Sequence, residues 1–339
     1  MTELGGRVTR FELDSAVLRG NPLGDPSVRE VGVYLPPGYG DDDDGRRYPV
    51  ILLLPGFGSR HRSFTNDDPW NPNPVERFDR CIRSGASAPA ILAFPDAGTR
   101  LGGSQFVDSK ATGAYQSFLA DEVFPALDAR FRTIPEPTGR GVAGRSSGGF
   151  GALRLAIDRR DVVGGLAAHA ADAAFDVSLR PMLATAATAF AQAGGVAAFA
   201  EEVTRRGPRT GPEHEALFVL AALAAYCPAP EAPFPHLDLP FDPETLELVP
   251  AQWQRCLDAD PLARLAARPD ALDGMRLVFI DSGDRDEHGL HFAARRLARL
   301  LAARGDRVAL RFEEFPGGHR GTGWRYEVSL PALAAALGE

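Results

Sequence analysis

Five-residue runs built only from apolar side chains are the strongest constraint this chain places on its own fold. Val50-Ile51-Leu52-Leu53-Leu54 offers no polar side to water. A strand with one wet face alternates, so a run like this needs cover on both faces. Segments 90–94, 139–143, 163–168, 276–280 and 308–312 resemble it. Between them lie helix-period segments at 116–130, 149–158 and 290–303. That alternation predicts an α/β protein with a mostly parallel, doubly wound sheet. Segments 8–13 and 29–34, closed by Pro36-Pro37-Gly38, raise the count to about eight strands. With 44% apolar and 24% charged residues in 339, a sizeable core forms without disulfides or metals. The whole chain, 1–339, reads as one domain.

One stretch breaks the alternation. Residues 173–260 carry helical patterning at 183–203 and 213–226, then a proline-rich passage from Pro228 to Pro243. An excursion of this size between two strands is read as a helical, cap-like insertion over a site, because functional excursions grow from strand-end loops. The alternative is a second helical layer that only packs.

Charge and composition remove several functions. A net charge of −8 argues against nucleic acid as a partner, since counterion displacement needs a basic face. Lys110 is the sole lysine, and Asp108-Ser109-Lys110-Ala111-Thr112 fits neither a Walker A loop nor a Schiff-base site. No cofactor is implied. Cys81, Cys227 and Cys256 are an odd count at unpatterned spacings, read as incidental thiols of a reducing compartment. Met1-Thr2-Glu3-Leu4-Gly5-Gly6 lacks the basic and apolar regions of a leader, and no run reaches a membrane span. A cytoplasmic protein with no membrane partner is the expectation; a homodimer is admitted. Asp41 to Asp44, four adjacent carboxylates before Gly45, read as a solvated loop.

Gly144-Arg145-Ser146-Ser147-Gly148 contains G-x-S-x-G between a strand run and a helix run. A strand-to-helix turn of this kind strains its central serine and exposes it, which makes Ser146 the candidate nucleophile. A plain tight turn is the bland reading. The acid should follow a later strand and the histidine the last one. Asp281-Ser282-Gly283-Asp284-Arg285-Asp286 follows 276–280 and offers Asp286, with Asp284 as the alternative. Glu313-Glu314-Phe315-Pro316-Gly317-Gly318-His319 follows 308–312 and offers His319 as general base. The oxyanion would meet the N–H groups of Ser147 and Phe57, with Gly58 as the fallback. His288 and His291 lie near acids, but no HExxH or second ligand set supports a metal. His169 ends a strand run and is read as structural or, alternatively, as lining the pocket. Gln105, in Gly102-Gly103-Ser104-Gln105-Phe106, either hydrogen-bonds a substrate or braces its loop. Phe57, Phe106 and Trp324 are candidates for an apolar wall.

These blocks together resemble the esterase family that holds S-formylglutathione hydrolase (esterase D), enterochelin esterase, feruloyl esterases and the mycolyltransferases. Val33-Tyr34-Leu35-Pro36-Pro37-Gly38-Tyr39 is similar to its entry strands, and residues 143–153 to its nucleophile block. Gly283-Asp284-Arg285-Asp286 and Gly317-Gly318-His319 resemble its acid and histidine blocks, which implies Asp286 over Asp284. The resemblance implies an α/β-hydrolase fold and a serine esterase with a Ser-His-Asp triad, an acyl-enzyme intermediate and a small-molecule ester substrate. An acyltransferase using the same triad and a non-catalytic binding protein are the alternatives. Two departures stand out: Pro55 where many members have His, and Ser147 where Met is common.

Overall fold

The computed structural model describes residues 4–40 and 45–338, so the expectations for Asp41 to Asp44 and for Met1 to Glu3 lie outside the described residues. The main sheet has eight strands: β1 (Arg7–Asp14), β2 (Val28–Leu35), β3 (Val50–Leu54), β4 (Ile91–Pro95), β5 (Arg140–Arg145), β6 (Gly165–His169), β7 (Leu277–Gly283) and β8 (Leu310–Phe315). They lie side by side in the order β1-β2-β4-β3-β5-β6-β7-β8. From β4 to β8 all neighbours are parallel, while β2 runs antiparallel to both β1 and β4.

The apolar runs explain the layering. Val50, Leu52 and Leu54 enter one core cluster, and Ile51 and Leu53 enter another. Because successive side chains point to opposite faces, the two clusters sit on opposite sides of the sheet. Leu166 and Ala168 part from Ala167 in the same way, as do Val278 and Ile280 from Phe279. Strand β8 differs from the expectation of a run buried on both faces. It is a half-exposed edge strand in which Leu310 and Phe312 pack inward. Arg311 instead lies over the Phe279 ring, so only one face of β8 is apolar.

Helix α1 (Pro74–Arg83) begins with a capping box, in which Asn73 and Glu76 satisfy each other's backbone N–H. The helix expected at 116–130 is a short turn, Tyr115–Ser117, a widened turn, Phe118–Val123, and then α2 (Phe124–Arg130). Helix α3 (Ser147–Asp158) follows β5 with no intervening loop.

The excursion between β6 and β7 contains α4 (Leu183–Gln192), α5 (Val196–Arg206), α6 (Gly211–Tyr226), α7 (Pro250–Ala259) and α8 (Pro261–Ala267). The helix expected at 183–203 is broken. Gly194 and Gly195 take left-handed φ values of 86° and 123°, and α5 leaves at 89° to the helical segment before it. Phe150 of α3 stacks with Phe175 and meets Tyr226 of α6, which packs the excursion onto the helix behind Ser146. The cysteines are not all incidental to one another. Cys227, ending α6, and Cys256, in α7, are buried with their sulfurs 3.0 Å apart, a contact that their spacing in sequence conceals. Helices α9 (Leu290–Ala302) and α10 (Tyr326–Gly338) complete the layers. Among the described residues no single helix is long and apolar enough to cross a membrane.

Asp260 joins the two ends of the excursion. Its carboxylate accepts the N–H groups of Ala174, Phe175 and Leu262, each at 2.9 Å. Burial raises its pKa, and the three donors pull the other way. Asp260→Ala leaves three donors without their acceptor. The expected cost is about 3 kcal/mol of unfolding free energy, read as a lower urea midpoint at unchanged slope.

Candidate active site

Ser146 sits where β5 passes directly into α3, with φ 57° and ψ −123°. That left-handed backbone is costly for a residue with a side chain and persists only where its surroundings enforce it. Glycine makes the crossing feasible. A Cβ on Gly144 would lie 2.3 Å from the Gly148 oxygen, and one on Gly148 would lie 2.0 Å from the Leu54 oxygen. The Ser146 N–H donates to the His169 carbonyl at 2.9 Å, and the Ser146 carbonyl accepts from Phe150 at 2.8 Å. The backbone is thus pinned on both sides.

Strands β7 and β8 pair in register as far as Gly283 and Phe315, which brings the loops that follow them together. Those loops interlock. The Gly317 N–H donates to Asp284 at 3.0 Å, and the His319 N–H donates to Glu287 at 2.7 Å. Asp286 Oδ2 then lies 2.8 Å from His319 Nδ1, and its Oδ1 accepts the His288 N–H at 2.9 Å. Asp284 therefore braces backbone, whereas Asp286 is the carboxylate that meets the imidazole. Burial pushes the Asp286 carboxyl up, but the hydrogen bond and charge of His319, with the N–H groups of His288 and Leu290, outweigh it and hold it below the usual carboxylate range. The stabilisation from this ionised carboxylate is present above its unfolded-state value and fades as pH falls through the lowered folded one.

Arg145, the residue just before the serine, reaches across to this loop. Its guanidinium donates to the His319 carbonyl at 2.9 Å and to Thr322 Oγ1 at 3.4 Å. Ser146 and His319 line one cavity of about 470 Å³. Among the described residues no hydrogen bond joins the Ser146 hydroxyl to the His319 ring.

Residues 55–58 lie over the turn, since a Cβ on Gly56 would meet the Arg145 oxygen at 3.3 Å and Ser146 Cβ at 3.6 Å. The Gly58 N–H is already given to the Gly102 carbonyl at 3.2 Å, so the fallback oxyanion donor is occupied. The Phe57 and Ser147 N–H groups have no acceptor among the described residues.

Three expected substrate contacts lie elsewhere. His169 is buried, its Nδ1 2.8 Å from Asp281 and its Nε2 2.9 Å from Ser329, so its ring is spent in a network away from the cavity. Gln105 is sealed behind Phe57, beside a void of about 10 Å³, with its Oε1 3.5 Å from the Tyr226 hydroxyl. Trp324 is 40% exposed and packs on Phe315 outside the cavity. Phe106 is buried behind α3, in contact with Gly151. Only Phe57 of the expected aromatic wall reaches the cavity, and the excursion adds Met182, Thr185, His214, Glu215 and Phe218. Sequence reasoning missed these side chains, because helix periodicity does not say which face meets the site. It also missed Asp172, three residues beyond β6 and so at the same sheet edge as Ser146.

Sheet order, strained serine and strand-end acid and histidine define an α/β-hydrolase fold. A family model described as "Putative esterase" matches residues 26–333, and the chain belongs to that family. An esterase of Mycobacterium tuberculosis is 35% identical over 127 residues, 37% of this chain and 25% of that one. An endo-1,4-beta-xylanase/feruloyl esterase of Xylanibacter ruminicola is 28% identical over 144 residues, 40% of this chain and 19% of that one. The aligned stretch thus spans about a quarter or less of these relatives. In three dimensions an S-formylglutathione hydrolase from Agrobacterium tumefaciens superposes with a TM-score of 0.60 at 15% identity, covering 99% of this chain and 98% of that one. A ferulic acid esterase gives 0.57 at 20% identity, covering 98% and 99%. At these identities the likeness is one of fold.

Arg145→Met removes the tie between the turn and the histidine loop without touching Asp286. Turnover of p-nitrophenyl acetate should fall about 10- to 100-fold while circular dichroism and the melting temperature stay near wild type. Unchanged turnover would show that Arg145 does not position the histidine.

Proposed function

We propose that the protein is a serine hydrolase of carboxylic esters, with Ser146 as nucleophile, His319 as general base and Asp286 as its orienting carboxylate. One observation carries the reading: the strained Ser146 and the Asp286-clamped His319 open onto the same cavity. With Nδ1–H given to Asp286, the His319 Nε2 is the lone-pair nitrogen left to take a proton. Ser146 Oγ attacks the ester carbon as His319 takes the hydroxyl proton, and the carbonyl electrons move onto oxygen. The Phe57 and Ser147 N–H groups receive that oxyanion at the positive end of α3. Collapse expels the alkoxide, protonated by His319, and leaves an acyl-serine. Water, deprotonated by the same imidazole, then releases the acid and restores Ser146. The Ser146–His319 hydrogen bond closes when substrate fills the cavity, as catalytic bonds in empty sites commonly do. The excursion is proposed as a cap, because its helices supply one wall of that cavity.

Ser146→Ala should abolish labelling by a fluorophosphonate probe and lower p-nitrophenyl ester turnover by roughly 10³-fold or more; His319→Ala should lower turnover similarly. Asp286→Asn should lower kcat by roughly 10³- to 10⁴-fold with little change in labelling geometry. Labelling with turnover only after an added alcohol would indicate an acyltransferase instead. Absence of both would leave a binding protein.

A further inference from the structure

The loop after β6 delivers a carboxylate to the cavity that the ester chemistry above does not use. Asp172 is 8% exposed, yet it lines the cavity together with Ser146 and His319. Its backbone approaches the Ser146 carbonyl, with the N–H 3.5 Å away. Its Oδ2 accepts the Ser147 hydroxyl at 2.9 Å. Oδ1 has no protein partner among the described residues, and it is not sealed from the cavity. This chain has Ser147 where the family resemblance leads one to expect methionine. An apolar lining beside the nucleophile is thereby replaced by a hydroxyl that holds a buried carboxylate.

A largely buried carboxylate with one occupied and one open oxygen selects among ligands. An apolar group placed against it strips its remaining water and returns no hydrogen bond. A hydroxyl or ammonium placed there satisfies the open oxygen. Sites built to bond a substrate donor discriminate far more sharply than sites that only measure apolar bulk. Burial also pushes the Asp172 pKa up to about 6, against the pull of the Ser147 hydroxyl and the His319 charge, as expected of a carboxylate lacking a full set of donors.

We infer that Asp172 is a specificity-determining residue that accepts a hydrogen bond from a hydroxyl or ammonium carried by the ester close to its scissile carbonyl. This rests on the serine-esterase reading and narrows it to esters that bear a donor near the reacting bond. The two sides of the ester are separated by the substrate pair used.

The test compares kcat/KM within matched pairs, so that any loss of folded protein cancels in the ratio. For the acyl side the pair is p-nitrophenyl butyrate and p-nitrophenyl 3-hydroxybutyrate; for the alcohol side it is ethyl butyrate and 2-hydroxyethyl butyrate. 2-Aminoethyl butyrate probes an ammonium in the same place. Wild type should prefer the donor-bearing member of at least one pair by tenfold or more. Asp172→Leu should erase or invert that ratio, and Asp172→Asn, which keeps an acceptor oxygen, should retain part of it. Turnover of these esters with no donor preference, or a preference that survives in Asp172→Leu, overturns the assignment and leaves the esterase reading intact. If no ester is turned over and Ser146 is not labelled, the esterase reading itself falls and takes this subsite with it.

Discussion

The backbone of Ser146 is the constraint around which the rest is arranged. A left-handed residue bearing a side chain costs of order 1–3 kcal/mol, and nothing local repays that. It is held because β5 is buried between β3 and β6, because α3 starts without a loop, and because Ser146 is bonded to the ends of both neighbours in space and sequence. The Ser147 N–H at the start of α3 and the Phe57 N–H on the loop after β3 have no acceptor among the described residues. The strain is thus the product of a single geometric demand, that a strand turn into a helix within one residue.

The second requirement is a histidine held across a distance of 33 residues from its acid. Parallel pairing of β7 and β8 sets both loops at one sheet edge, and backbone-to-carboxylate bonds from Gly317 and His319 lock them together. This explains why the acid loop is so dense in charge. Asp284 and Glu287 serve main-chain donors, which leaves Asp286 alone to face the imidazole. Arg145 then ties the histidine loop to the serine strand, coupling the two halves through a charged donor on a carbonyl.

The cavity has a mixed character that follows from its two sources. The sheet edge contributes Ser146, Asp172 and His319, while the excursion contributes Met182, Phe218 and the polar pair His214 and Glu215. Phe57 connects them, its ring edge-on to both His214 and Phe218 at 5.4 and 5.3 Å. Burial lowers the His288 pKa and the charge of His319 lowers it further, against the pull of Asp286, Glu215 and Glu287, and the His288 ring rests edge-on against that of His319.

The strands were legible because a segment covered on both faces must be apolar throughout, and 50–54 falls on the same residues in pattern and in structure. The serine turn was legible for a related reason: a local backbone demand leaves a local mark in Gly144 and Gly148. His169, Gln105 and Trp324 were legible only as residues near the right strand ends, and their side chains turn away from the cavity. Direction depends on tertiary partners: Asp281 and Ser329 for His169 and Tyr226 for Gln105, all over 100 residues away, and Phe315, from β8, for Trp324. By itself the sequence determined the layered sheet and the serine turn, since periodicity and glycine placement act over a few residues. Only tertiary structure decided which helix faces close the cavity and that Asp172 stands beside the serine. Those contacts join residues tens to hundreds of positions apart, and no short-range pattern encodes them.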